Sequence, residues 1–374
     1  MRDRVPHHFL FPHRFFAASV RGLPPVPAYM LHQVDVAQFE RLCQTLERRR
    51  IRCTTFPELI AGDDGLSSIL LTFDDGWSSV WSAALPLAKR YGVRFTLFLA
   101  PDCVEESNEV RSTLDTGATA EEITKRDLGP RARLTWGEVL ALQASGLVNI
   151  QSHSTHHGVV FRSADLKGFM TPDGPFPVNG LIPLVQHTRD GDAVNFKPEL
   201  GTPLFEWGPA LTVKPRYLES IRLREQCVQT VRDGGGAEFF SRPDWKETLR
   251  ALVYAAPGGE WETSEARLAR WQADLEGSRR TIEARVPGTH VTVLAPPWAE
   301  VDAAMPDIAR GAGYQLLVLG YPFHVQELKS TLPLYPRLFG DASWVTALGT
   351  LRGAPKWLHA RNRALQRRRA GAIP

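Results

Sequence analysis

Short apolar runs of strand length alternate along this chain with stretches of helical periodicity, and this alternation limits the fold more than any other feature. Ser67–Phe73 is the strongest apolar run. A short one lies near Ile51–Thr55, and others follow at Val93–Ala100, at Leu147–Ser152, at Val291–Leu294 and in a stretch ending near Leu319. Helical patterns fill the gaps. Phe39, Leu42, Cys43 and Leu46 share one face behind a capping Asp35, and Val80–Tyr91 is closed by Gly92. Thr135 opens a helix reaching Ala144, and Thr263 opens one with Leu268, Trp271, Leu275 and Ile282 on one face. Strands alternating with helices of this length predict α/β architecture with a mainly parallel sheet. Polar residues repeatedly follow the strand ends, where α/β barrels carry their chemistry.

The alternation weakens in two places. Residues 104–130 are polar and read as a surface excursion. Residues 158–262 are rich in Pro, Gly and aromatic residues, and a structureless loop of that length would be unusual. The second stretch is expected to be an inserted subdomain with one or two short helices, such as Tyr217–Arg232. Within it Trp207 and Trp245 stand out as sugar-stacking candidates or as anchors of a small core. Residues 1–27 read as an irregular arm, 28–350 as the main domain and 351–374 as a basic tail.

With 374 residues, 43% of them hydrophobic, the chain can bury a sizeable core without staples. A net charge of +3 does not suggest a nucleic-acid binder. The arginines at Arg361 and Arg367–Arg369 read as a solvated tail. Cys43, Cys53, Cys103 and Cys227 have no metal-ligand spacing and no disulfide framework. The first residues lack the unbroken apolar stretch of a signal peptide, and no run is long enough to span a membrane, so the expected location is the cytoplasm.

Asp-Asp-Gly occurs twice. Asp63-Asp64-Gly65 lies among polar residues and has the composition of a turn. Asp74-Asp75-Gly76 ends the strongest apolar run, where side chains reach into a site. Two adjacent carboxylates repel each other there, unless one binds a cation and the other accepts hydrogen bonds; the turn reading stays open on this motif alone. Residues 151–158 read Gln-Ser-His-Ser-Thr-His-His-Gly. His153 and His157 at i and i+4 can converge on one ion if the backbone turns helically. One Asp and two His match the three protein ligands of a catalytic zinc site. His156 reads as a partly buried neighbour.

Thr72-Phe73-Asp74-Asp75-Gly76 and His153-Ser154-Thr155-His156-His157 resemble the first two signatures of the polysaccharide deacetylases, carbohydrate esterase family 4. The resemblance spans roughly residues 28–345, interrupted by the insertion. It implies a distorted (β/α)7 barrel, Asp74 as catalytic base, and a divalent metal on Asp75, His153 and His157, zinc foremost with cobalt or nickel as alternatives. It also implies an N-acetylated glycan as substrate. Ala295-Pro296-Pro297-Trp298-Ala299-Glu300 is similar to the third signature but lacks its Arg and its Gly. By that resemblance Pro297 and Trp298 contact substrate, and the Trp298 N–H can help hold an oxyanion. No His stands where many members carry a general acid. His324 matches poorly, and His32 reads as structural. Leu332–Arg337 resembles members ending on a Pro-Arg strand. Alternative readings are a deacetylase or deformylase of a lipid-linked sugar or other small amide, or a glycan-binding protein without activity.

Overall fold

A computed structural model describes residues 26–61, 68–174, 181–212, 214–256, 258–299, 301–320 and 330–339. Most of the N-terminal arm, Asp63-Asp64-Gly65, His324 and the basic tail lie outside the described residues.

Five strands come first: β1 (Ala28–Leu31), β2 (Arg52–Thr54), β3 (Ser68–Phe73), β4 (Phe95–Leu99) and β5 (Val148–Ser152). Six follow in the next segment: β6 (Val159–Phe169), β7 (Leu184–Thr188), β8 (Gly191–Asn195), β9 (Pro203–Pro209), β10 (Tyr217–Leu218) and β11 (Glu260–Trp261). The last three are β12 (Val293–Leu294), β13 (Leu316–Gly320) and β14 (Leu334–Phe339). Seven of them close into a parallel ring in the order β1, β14, β13, β12, β5, β4, β3 and back to β1. β2 pairs with β3 outside that circuit. The chain is therefore a (β/α)7 barrel, as its sequence implied.

Local chemistry sets the helix boundaries. Asp35 accepts the Gln38 N–H ahead of the helix Val36–Arg48, which buries Phe39, Leu42, Cys43 and Leu46. Thr135 and Glu138 form a reciprocal capping box before Trp136–Ala144. Gly92 ends Leu85–Tyr91 in the left-handed region, at φ 63°. Thr263 caps the long helix Ser264–Arg285 through the Ala266 N–H. The excursion at 104–130 contains a helix, Ala120–Asp127, and the buried Arg111, which is paired with Glu138. All four cysteines are buried free thiols.

Side chains alternate across each barrel strand. Ala28, Leu70, Phe98, Val293, Leu316, Val318 and Tyr335 fill the barrel interior. Their neighbours Tyr29, Leu31, Ile69, Leu71, Phe73, Leu97 and Leu317 pack outward against the helices.

The segment after His157 is more ordered than its sequence predicts. β6 to β9 form a four-stranded sheet in the order β8, β7, β6, β9. Its apolar side, with Val159, Phe161, Leu184, Leu204 and Phe205, joins Tyr217 in one small core. The helices Ile221–Asp233 and Trp245–Ala255 share a second core with Phe169. The expected helix at Tyr217–Arg232 is thus a two-residue strand followed by a helix. Trp245 packs edge-on to Phe240 and anchors this second core, whereas Trp207 on β9 is partly exposed.

Candidate active site

The inward parity of the strands delivers four groups to the C-terminal mouth of the barrel. Asp74 continues the inward series of Leu70 and Thr72, His153 follows Gln151, Ala295 follows Val293, and Arg337 follows Tyr335. Asp74 is held in the ladder by its N–H to the Leu31 carbonyl, and His153 by its N–H to Leu99 (2.9 Å each).

Asp75 would point away on an ideal strand. Its backbone is left-handed instead, at φ 70°, which leaves strand geometry and turns its carboxylate toward the mouth. The described residues include five non-glycine positions with positive φ: Arg50, Asp75, Ser154, His157 and Trp298. Four of these build this site, and such backbone conformations persist only where surrounding contacts over-determine them. His153 and His157 do converge, but not through the helical turn expected from their spacing. Left-handed residues at Ser154 (φ 65°) and His157 (φ 48°) bend the loop so that the rings lie 5.1 Å apart.

Asp75 Oδ1 lies 3.3 Å from His153 Nε2 and 3.2 Å from His157 Nε2. That oxygen is buried without a hydrogen-bond partner. Asp75 Oδ2 is already engaged, accepting the Trp77 indole N–H at 3.1 Å. His153 Nδ1 donates to the Ala295 carbonyl at 2.6 Å, which leaves Nε2 with its lone pair free. Two ligand atoms on a tetrahedral zinc, each roughly 2.0–2.1 Å from the ion, stand about 3.3 Å apart. The separations from Asp75 Oδ1 to both imidazoles match that edge, so the residues fit a divalent metal.

The electrostatics suit the same purpose. Burial alone would raise the Asp75 carboxyl, but the neighbouring His157 and His153 imidazoles and the Arg133 guanidinium hold it well below the usual carboxylate range. Burial lowers His157 to about 4, so its imidazole is neutral near pH 7. Arg133 donates to the Asp75 carbonyl (2.8 Å) and to Leu181 (3.2 Å), and its guanidinium lies 4.4 Å from the centre of the Trp77 ring. It thereby ties the site to the inserted segment.

Asp74 is fully buried and meets Arg337 through two parallel hydrogen bonds, 2.6 Å to Oδ1 and 2.8 Å to Oδ2. Arg337 also donates to Thr72 Oγ1 (2.9 Å) and lies 4.9 Å from the centre of the Phe98 ring. Burial pushes the Asp74 carboxyl up; Arg337, His153 and His32 more than offset this, so the group titrates below its ordinary value. The sequence has no arginine at Ala295, and the site's arginine comes from β14 instead.

Trp298 is 40% exposed and its ring lies 5.3 Å from that of His157. Pro297 is buried, so it shapes the turn and leaves the exposed surface to Trp298. His32 directly follows β1, is exposed, and makes no hydrogen bond among the described residues. β1 pairs with β3 in the register Leu31↔Phe73, and the Asp74 N–H bonds to the Leu31 carbonyl, so His32 follows beside Asp74 at the strand ends. Sequence reasoning missed Trp77, Arg133 and Arg337. Only Trp77, directly after the Asp-Asp-Gly, and the Pro-Arg strand gave any signal.

Residues 61–165 match the sequence profile of the polysaccharide deacetylase family. No curated protein matches the chain. Among solved structures, a de-N-acetylase from Aggregatibacter actinomycetemcomitans is similar at 14% identity and TM-score 0.48, covering 85% of this chain and 94% of its own. The BpsB deacetylase domain from Bordetella bronchiseptica is similar at 13% identity and TM-score 0.46, covering 84% and 97%. IcaB from Ammonifex degensii is similar at 13% identity and TM-score 0.45, covering 86% and 96%. The matched residues 61–165 include Asp74, Asp75, His153 and His157, and the family whose model they match, the polysaccharide deacetylases, is the one that the two motifs resemble.

Proposed function

We propose that this protein is a metal-dependent hydrolase that removes N-acetyl groups from the amino sugars of a polysaccharide or glycan precursor. The observation that carries the reading is the buried, unpartnered Asp75 Oδ1 facing two imidazole nitrogens. Asp75, His153 and His157 would hold the ion, and a carboxylate with two imidazoles suits zinc, cobalt or nickel. A divalent metal at such a site supplies Lewis acidity toward an amide carbonyl and lowers the pKa of water.

The remaining chemistry belongs to the chain. Asp74, kept ionised by Arg337, accepts a proton from the attacking water. The water oxygen bonds to the acetyl carbon, the C–N bond breaks, and the amine leaves with a proton. His32 is the proton donor in this reading, since it is an exposed imidazole beside Asp74 at the mouth. Trp298 forms a wall on which a sugar ring can stack. The products are acetate and a free amino sugar.

The test is acetate release from a panel of N-acetylated oligosaccharides, using protein stripped with a chelator and resupplied with zinc, cobalt or nickel. Release should require added metal. Release at full rate from the stripped protein would sink the metal assignment. No release from any N-acetylated sugar would sink the substrate class.

A further inference from the structure

We propose that Asp274 is a positioning residue that, with Ser278, clamps the loop between His153 and His157 and so aims both imidazoles at one ion. The inference rests on the metal reading above. Asp274 and Ser278 lie four residues apart on the helix Ser264–Arg285, hence on one face, and both are buried. A buried carboxylate and hydroxyl on a core-facing stripe with Trp271, Leu275 and Ile282 need partners. They find them in the ligand loop. Asp274 Oδ1 accepts the Thr155 N–H at 2.9 Å, and its backbone carbonyl accepts the Thr155 hydroxyl at 2.5 Å. Asp274 Oδ2 lies 3.2 Å from His156 Nδ1. The Ser278 hydroxyl donates to the Ser154 carbonyl at 2.9 Å.

All three residues between the two ligands are therefore fixed to one helix, while the hydrogen bonds among the described residues that hold His153 and His157 come from elsewhere. The helix also comes very close, because a Cβ at Gly277 would stand 3.3 Å from Thr155 Oγ1. Left-handed backbone at Ser154 and His157 is strained for residues other than glycine and needs outside contacts to persist. Asp274 and Ser278 supply them. This assigns His156 its place: its ring pairs with Asp274 and is a handle for the clamp.

The experiment is a Co(II) titration of metal-free wild type, Asp274→Ala, Asp274→Asn and Ser278→Ala, followed by visible absorption, with thermal unfolding of each metal-free protein. Asp274→Ala should bind Co(II) roughly 10–100-fold more weakly and show an altered spectrum, in the range seen when an outer partner of a metal ligand is lost. Asp274→Asn keeps an oxygen to accept the Thr155 N–H and should recover most of the affinity. Ser278→Ala should weaken binding by several-fold and serves as the test if Asp274→Ala does not fold. Wild-type affinity and spectrum in Asp274→Ala, or in Ser278→Ala where the first variant is unfolded, would overturn the clamp. So would an Asn variant as weak as the Ala variant. Wild-type protein that takes up no Co(II) would instead overturn the metal reading and the clamp with it.

Discussion

The Arg337 guanidinium and the Asp74 carboxylate meet in two parallel hydrogen bonds at the barrel mouth, both side chains being 2% exposed. Breaking a buried pair of this kind by removing one partner typically costs about 3–5 kcal/mol. Because Asp74 titrates below its unfolded value of about 3.9, the pair contributes stability above that pH and loses it as pH falls through the lower folded value.

Arg337→Met should therefore change the pH profile of the metal-loaded enzyme. With the guanidinium gone, burial raises the Asp74 carboxyl, and the acid limb of activity moves to higher pH. Below the shifted limb, activity should fall about tenfold per pH unit. An acid limb that stays in place, in a variant shown to be folded, would separate Arg337 from the base.

Asp75→Ala, His153→Ala and His157→Ala should each lower metal content, while Asp74→Asn should retain it and lose about 10²–10⁴-fold in turnover. Elemental analysis beside acetate-release rates distinguishes the two groups. Full metal content in all three ligand variants would remove those residues from the ion, and near-normal turnover in Asp74→Asn would place the base elsewhere.

His32→Gln tests the proton donor. It should slow amide hydrolysis by about 10²–10⁴-fold. It should hardly slow hydrolysis of 4-nitrophenyl acetate, whose leaving phenolate needs no proton. Equal losses on both substrates would mean that His32 serves another step.

Trp298→Ala should leave metal content unchanged and raise KM for a glycan about 2–12-fold, the equivalent of roughly 0.5–1.5 kcal/mol of ring stacking. A normal KM on an oligosaccharide turned over by the wild type would remove Trp298 from the substrate wall.

Much of the barrel was legible because its signals are local. Asp35, Thr135, Thr263 and Gly92 act on backbone groups within a few residues, and each stands where its composition predicted a helix end. The three ligand candidates were legible for a related reason, since carboxylate and imidazole donors at strand ends are scarce. How they converge was not legible, because the loop with left-handed Ser154 and His157 is hydrogen-bonded to a helix more than a hundred residues away. Arg337 lies 263 positions from Asp74, and nothing near either residue announces the other. The inserted sheet was missed because β6 mixes polar and apolar residues irregularly, and its pairing with β9 shifts register twice.

The hydrogen bond from His153 Nδ1 to the Ala295 carbonyl joins residues 142 positions apart, across the seam where β5 meets β12. Contacts of such separation in sequence are slow to form, because the ends of a long intervening chain must first be brought together. The bond that fixes the His153 tautomer thus forms only once β5 and β12 are paired, with the inserted segment accommodated between them. A nascent or partly folded chain, even with Asp75 and His157 in place, has no fixed third donor. On the metal reading proposed above, the ability to retain an ion would be a measure of completed assembly, and capture of metal by folding intermediates would be disfavoured by the order of the chain itself.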